Sequence, residues 1–198
     1  MRHRSRPSIS RHVAAHVTLK AREGLRSLRD VRIVRALEAT FRRAAERGDF
    51  RLLHYSIQGD HLHMIVEADD KAALGRGMMS IASRVARAVN RVLGRTGRVL
   101  RDRYHLRVLR TPLEVRRALA YVLLNARKHL GLLASRVGRV DPASSGAWFD
   151  GWGSSLEAAA TGPPPVAAAR SWLVLFGWRR HGLLDPSEVP GLPPRCGA

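Results

Sequence analysis

Residues 51 to 68 read RLLHYSIQGDHLHMIVEA, two eight-residue runs joined by Gly59-Asp60. Apolar and polar side chains alternate in both, the pattern of strands with two unlike faces. A Gly-Asp pair between such runs suits a two-residue hairpin turn. That turn fixes the register: Gln58 opposite His61, Ile57 opposite Leu62, Ser56 opposite His63 and Tyr55 opposite Met64. One face then carries Leu53, Tyr55, Ile57, Leu62, Met64 and Val66 and is predicted to be core. The other carries His54, Ser56, Gln58, His61 and His63 and is predicted to be polar.

The flanking segments supply partners for this hairpin. HVAAHVTLK (12–20) alternates as a half-covered strand and adds His16 to the polar face if it joins the same sheet. SLRDVRIVRALEATFRRAAERGDF (27–50) predicts an amphipathic helix of about five turns, with Val31, Val34, Leu37, Phe41 and Ala45 as its apolar stripe and Gly48 as its stop. A second helix is expected from near Asp70 to before Gly94, and an extended segment over 98–109. Thr111-Pro112-Leu113-Glu114 then marks a helix start, with a Thr cap, Pro at the first helical position and Glu placed for a capping box.

The resulting order is β-α-β-β-α-β-α. Its first six elements predict an α+β domain, a ferredoxin-like antiparallel sheet with helices mainly on one face. Residues 1–134 form this expected domain, and residues 135–198 change character. DPASSGAWFDGWGSS and TGPPPVAAAR are rich in Gly, Ser and Pro, ARSWLVLFGWRRHGLL predicts one more helix, and EVPGLPPRCGA reads as a frayed end. Three of the four tryptophans of this extension are expected to pack it onto the domain.

Charge narrows the partners. With 35 Lys and Arg against 16 Asp and Glu, the formal net charge is +19, so the folded chain presents broad positive surface suited to a polyanion. A single cysteine, Cys196, excludes an internal disulfide and a zinc site built on thiolates. The basic start MRHRSRPSIS is not followed by the apolar run of a signal peptide, and no segment has the length of a membrane span. A cytoplasmic protein with no membrane partner is expected.

His61 and His63, at i and i+2 of a strand, point the same way and can share one divalent cation through neutral ring nitrogens. A pair of this kind also arises by chance, so a further ligand and a reacting group must decide. RTPLEVRRALAYVLLNARKHLG (110–131) supplies both. At 100° per residue, Val115, Leu119, Val122, Leu123, Ala126 and Leu130 share an apolar arc, while Tyr121 falls on the opposite one with Glu114, Arg117, Asn125 and Lys128. The phenol is therefore expected among polar and cationic groups, with Asn125 one turn on and able to address the same site.

His61-Leu62-His63 at a strand start, followed by a helix bearing Tyr121-Val122-Leu123-Leu124-Asn125, resembles the single-tyrosine HUH transposases, and among them the REP-associated tyrosine transposases. Arg103-Tyr104-His105 also fits that pattern, and the likeness covers about residues 10 to 132. Two positions depart from it: Asp60 stands where the family commonly has Asn, and Ala126 where it has Pro.

The resemblance implies the HUH endonuclease fold and metal-dependent cleavage and rejoining of single-stranded DNA, often beside a hairpin, through a 5′-phosphotyrosine. It makes Tyr121 the nucleophile and His61, His63 and Asn125 the ligands of Mg²⁺, or of Mn²⁺, which also suits a nitrogen and oxygen set. Arg117 and Lys128 flank the tyrosine as expected phosphate contacts. His16 in the first strand and Arg4, Arg6 and Arg11 in the basic arm are expected DNA contacts on charge and position. The partner is single-stranded or hairpin DNA and the protein a monomer or homodimer. The competing expectation is a domesticated, non-catalytic DNA- or RNA-binding protein on the same scaffold.

Overall fold

A computed structural model describes residues 12–130, 140–156 and 160–190, the side chains of Arg47 and of residues 126–130 excepted. In chain order the elements are β1 (Val13–Lys20), α1 (Val31–Ala44), β2 (Glu46–Arg47), β3 (Phe50–Ile57), β4 (His61–Ala68), α2 (Lys71–Val92), β5 (His105–Leu109), α3 (Pro112–Leu130) and a single turn, α4 (Trp172–Leu175). The strands form one sheet in the order β2-β3-β4-β1-β5, every pair antiparallel. The fold is α+β, as the order of elements predicts, with four main strands and a short edge strand.

The hairpin register is the predicted one, with Ile57 opposite Leu62, Ser56 opposite His63 and Tyr55 opposite Met64. Beyond His54 it shifts: a bulge at Leu53 leaves Leu52 opposite Val66 and His54 opposite Ile65. Leu53 therefore does not join Tyr55 and Ile57, as alternation alone predicts, but packs on the opposite face with Ala14 and Ile65. Strand β1 joins the same sheet between β4 and β5, placing Thr18 beside His63 and His16 beside Ile65.

Helices α1 and α2 cover one face. Their buried residues include Ile33, Leu37, Phe41, Met78, Ile81 and Val85, packed on Val17, Leu62, Met64 and Val66. α2 comes so close to β3 that a Cβ at Gly77 would lie 2.2 Å from the Phe50 ring. α1 is shorter than predicted. Asp30 starts it by accepting from the Arg32 N–H at 2.9 Å, leaving Val31 60% exposed, outside the buried stripe. It ends at Ala44 because Glu46 and Arg47 pair with Arg51 and Phe50 as an edge strand. α2 begins as expected, the Asp70 carboxylate accepting from the Ala73 N–H at 2.7 Å. Of the predicted extended segment 98–109, only His105–Leu109 is a strand, with Leu100 bridging Ala21.

α3 lies on the other face. Its capping box is formed: Glu114 N–H donates to Thr111 Oγ1 at 3.2 Å, and Thr111 N–H to Glu114 Oε2 at 3.1 Å. Val115, Leu119, Val122 and Leu123 are buried in a second core with Ala14, Leu53 and Ile65, which Phe149, Trp178 and Leu184 complete from the extension. The long helix predicted over 169–184 is only α4 followed by a 3₁₀ turn, Gly177–His181. At Gly177 a Cβ would lie 2.7 Å from the Trp172 ring, so the indole lies against the backbone where helix would have continued.

The extension is joined to the sheet by buried polar contacts. Arg29 makes a two-pronged ion pair with Asp141 (2.7 and 2.8 Å), and Ile57 N–H donates to the Ala143 carbonyl at 2.8 Å. Glu67, buried on β4, accepts from the backbone N–H groups of Arg170 (2.8 Å) and Ser171 (3.1 Å) and from the Ser171 hydroxyl, and faces the buried Arg51 guanidinium at 3.7 Å. Glu67→Ala would strand those donors while Arg51 keeps Asp69 (3.4 Å) and the Gly48 carbonyl (3.3 Å), and buried donors left without an acceptor cost about 1–3 kcal/mol. Denaturant unfolding of the variant is expected to show a loss of that size; a loss below about 1 kcal/mol would show the carboxylate is not holding the extension.

Candidate active site

Three strand residues and one helix residue converge on the sheet face beneath α3. His16 of β1 and His63 of β4 have ring centroids 5.2 Å apart, and His61 stands 4.5 Å from His63. Tyr121 of α3 meets both inner histidines edge-on, 5.0 Å from His63 and 5.5 Å from His16. The antiparallel pairing of β1 with β4 makes this possible, since it brings His16 diagonally beside His63.

The hydrogen bonds orient the rings. His63 Nδ1 lies 3.1 Å from Thr18 Oγ1 and 3.2 Å from His16 Nε2. Burial, and secondarily the charge of Arg107, push the pKa of His16 down to about 4, so it is a neutral imidazole at physiological pH. His61 Nδ1 lies 2.6 Å from Asp60 Oδ1. That hydrogen bond is the main cause holding the Asp60 carboxyl below its ordinary range, with the charges of His61 and Lys20 acting in the same direction. Asp60, a departure from the family pattern in the sequence, is here the group that orients His61.

Asn125, one turn beyond Tyr121, is fully buried, and neither atom of its amide has a hydrogen-bond partner among the described residues. The polar arc of α3 is thus not a solvated one at these positions. It turns toward the sheet, leaving Tyr121 partly buried, while the extension covers Leu124 and Ala120. The strand face below is covered as well: His63, Ser56 and Gln58 are buried rather than open to water. His54 contacts Phe149 and Ser145 of the extension, and its burial pushes its pKa down to about 4.

Tyr121 and His16 open into a cleft of about 1260 Å³. Arg107 and Arg117 line it from the domain, and residues of the extension between His181 and Pro190 from the far side. Arg107 pairs with Glu114 at 3.5 Å. Arg116 pins the far wall: it contacts Glu188 at 2.8 and 3.3 Å and donates to the carbonyls of Gly182 (2.9 Å) and Leu183 (3.0 Å).

Of the residues singled out from the sequence, Tyr121, His61, His63 and His16 meet, Asn125 lies one turn away on the same helix and Arg117 lines the cleft. Arg4, Arg6, Arg11 and the side chain of Lys128 lie outside the described residues. Thr18, Asp60 and Arg116 are not among the predicted site residues. Asp60 is adjacent to His61 and legible as its neighbour; Thr18 and Arg116 depend on the strand pairing and the fold of the extension. Among the described residues no three His, Cys, Asp or Glu side chains group so as to hold a metal ion.

An antiparallel sheet presenting paired histidines to a tyrosine on the next helix defines the HUH class of folds. The family model described as transposase IS200-like matches residues 10–107, about half the chain. The chain belongs to this family, the single-tyrosine HUH transposases. The matched stretch holds His16, His61 and His63 and stops before α3, so Tyr121 and Asn125 enter through geometry.

Among solved structures, that of a REP-associated tyrosine transposase bound to a REP hairpin aligns at a TM-score of 0.50 and 16% identity, covering 66% of this chain and 75% of that one. At that identity the likeness establishes the fold. A suspected transposase from Deinococcus radiodurans R1 aligns at a TM-score of 0.43 and 12% identity, covering 55% of this chain and 87% of that one. No curated protein matches the sequence. Among the described residues no helix is long and apolar enough to cross a membrane.

Asn125 offers a test of whether the site is built for something other than stability. A buried amide without partners costs about 1–3 kcal/mol relative to an apolar group of similar shape. Asn125→Leu is therefore expected to raise the unfolding free energy by about 1 kcal/mol, read by denaturant titration. A destabilised variant would mean that the amide serves packing.

Proposed function

We propose that the protein cleaves and rejoins single-stranded DNA, on substrates carrying a hairpin, through a covalent link to Tyr121. The observation that carries this reading is the position of the Tyr121 ring, 5.0 Å from His63 and at the mouth of a cleft lined by arginines. The phenolic oxygen attacks a backbone phosphorus, the 3′ oxygen leaves with a proton, and the 5′ side remains as a phosphotyrosine ester. One phosphodiester replaces another, so the 3′ hydroxyl of the same or another strand reverses the step without added energy.

The chain's own residues prepare this step. Arg117 and Arg107 attract the strand and place the phosphate beside Tyr121. The tyrosine is shielded on one side by the two inner histidines, which limits competing attack by water.

The donor set fits a hard divalent cation. With Nδ1 of His61 held by Asp60 and Nδ1 of His63 facing Thr18 and His16, the Nε2 atoms are the nitrogens a metal would take, and the Asn125 amide, without a hydrogen-bond partner among the described residues, would supply an oxygen. When bound, Mg²⁺ or Mn²⁺ would polarise the non-bridging oxygens of the scissile phosphate and so compensate for a weakly nucleophilic phenol. Asp60 and Thr18 would then act as the outer partners that orient the two ligand rings.

The test is incubation with single-stranded hairpin DNA in Mg²⁺, in Mn²⁺ and in chelator, looking for a protein–DNA adduct on a denaturing gel. Wild type is expected to form it only with metal. Tyr121→Phe is expected to bind the same DNA and lose the adduct by at least about 10³-fold, and His63→Ala to lose metal-dependent cleavage while remaining folded. Binding by wild type with no adduct under any metal condition would leave only a non-catalytic binding protein; cleavage by Tyr121→Phe would remove the tyrosine from the mechanism.

A further inference from the structure

Large apolar side chains are exposed unevenly on this molecule. Of the seven such residues among those described, Leu113 and Val189 line the cleft, while Trp172, Phe176 and Leu183 lie elsewhere in the extension. Trp172 is 50% exposed and Phe176 62%. They are one helical turn apart, Phe176 N–H donating to the Trp172 carbonyl at 2.9 Å, so they share a face. Arg180, in the 3₁₀ turn that follows, is exposed and sets its guanidinium 4.8 Å from the centre of the Trp172 ring.

The indole is held rather than loosely splayed, because it packs against Gly177, where a Cβ would come within 2.7 Å. Nothing else in the described chain covers this stripe. Two exposed aromatic rings with a planar cation beside one of them match the chemistry of an unpaired nucleic-acid strand, whose bases stack and whose phosphates need positive charge. A protein partner would meet a surface carrying net charge +19. The chain leads from these residues to the cleft: Arg180 is followed directly by His181, which lines the cavity that holds Tyr121.

We propose that Trp172, Phe176 and Arg180 form a stacking platform for the unpaired nucleotides that lead into the Tyr121 cleft. This gives the C-terminal extension a binding role outside the stretch that matches the family model, residues 10–107. The inference rests on the reading of the substrate as single-stranded DNA.

The experiment measures the affinity of the full chain for fluorescein-labelled (dT)₂₀ by anisotropy over a range of salt concentrations, all variants carrying Tyr121→Phe so that binding is read without cleavage. Trp172→Ala with Phe176→Ala is expected to weaken binding about tenfold, the loss of roughly one stacked base, with the salt dependence unchanged. Arg180→Ala is expected to flatten the salt slope by about one phosphate contact. Trp172→Tyr, which keeps an aromatic face, is expected to restore most of the affinity lost in Trp172→Ala, and far-ultraviolet circular dichroism checks that each variant is folded.

Affinity within twofold of the parent in the folded Phe176→Ala and double variants would overturn the platform. So would a dimer seen by sedimentation that dissolves in Phe176→Ala while (dT)₂₀ affinity is unchanged, since the stripe would then join two copies of the chain. Failure of the cleavage reading looks different: no adduct with hairpin DNA, yet a tenfold change on (dT)₂₀, leaves the platform standing.

Discussion

The packing of α3 onto the second face of the sheet is the constraint on which the site depends. A tyrosine on a helix and histidines on strands come from distant parts of the chain, and only that contact holds them within 5.5 Å of one another. The helix is fixed from both sides: Val115, Leu119, Val122 and Leu123 belong to a core built from the sheet below and from Phe149, Trp178 and Leu184 of the extension above. Held this way, Asn125 is kept buried without a side-chain hydrogen bond among the described residues, a cost that packing alone would not select.

Much of this arrangement is legible in the sequence because it is local. The Gly59-Asp60 turn dictates which strand residues face each other, so the register alone puts His61 and His63 on one side of the hairpin. The Thr111–Glu114 box marks where α3 begins, which fixes the phase of Tyr121 and Asn125. What alternation cannot reveal is long-range. The polar face of the strands reads as solvated because nothing in periodicity says that α3 and the extension will cover it. Likewise the apolar stripe expected for α1 is misphased at Val31, since the cap at Asp30 and the edge pairing of Glu46 and Arg47 trim the helix at both ends. The predicted helix over 169–184 fails at Gly177, where tight seating of Trp172 outweighs helical propensity.

The extension also changes the electrostatics of the cleft. Arg116 spends its fork on Glu188 and two carbonyls, and Arg107 is shared with Glu114, whereas Arg117 has no ion-pair partner among the described residues. A strongly basic chain thus presents at this cleft a graded rather than uniform positive field. Charges committed to structure keep the wall in place, and the guanidinium left over is the positive charge the cleft presents.

The bulge at Leu53 reaches further than its single residue. Upstream of it, Arg51 stands opposite Glu67 on the α3 side of the sheet, and Phe50 and Leu52 point toward α1 and α2. Without the extra residue the parity of the strand would invert there, sending a guanidinium into the hydrocarbon layer and a phenyl ring toward the carboxylate. Gain or loss of one residue between positions 50 and 54 would therefore exchange inside for outside along that edge, so the number of residues there constrains the sheet more tightly than their identity.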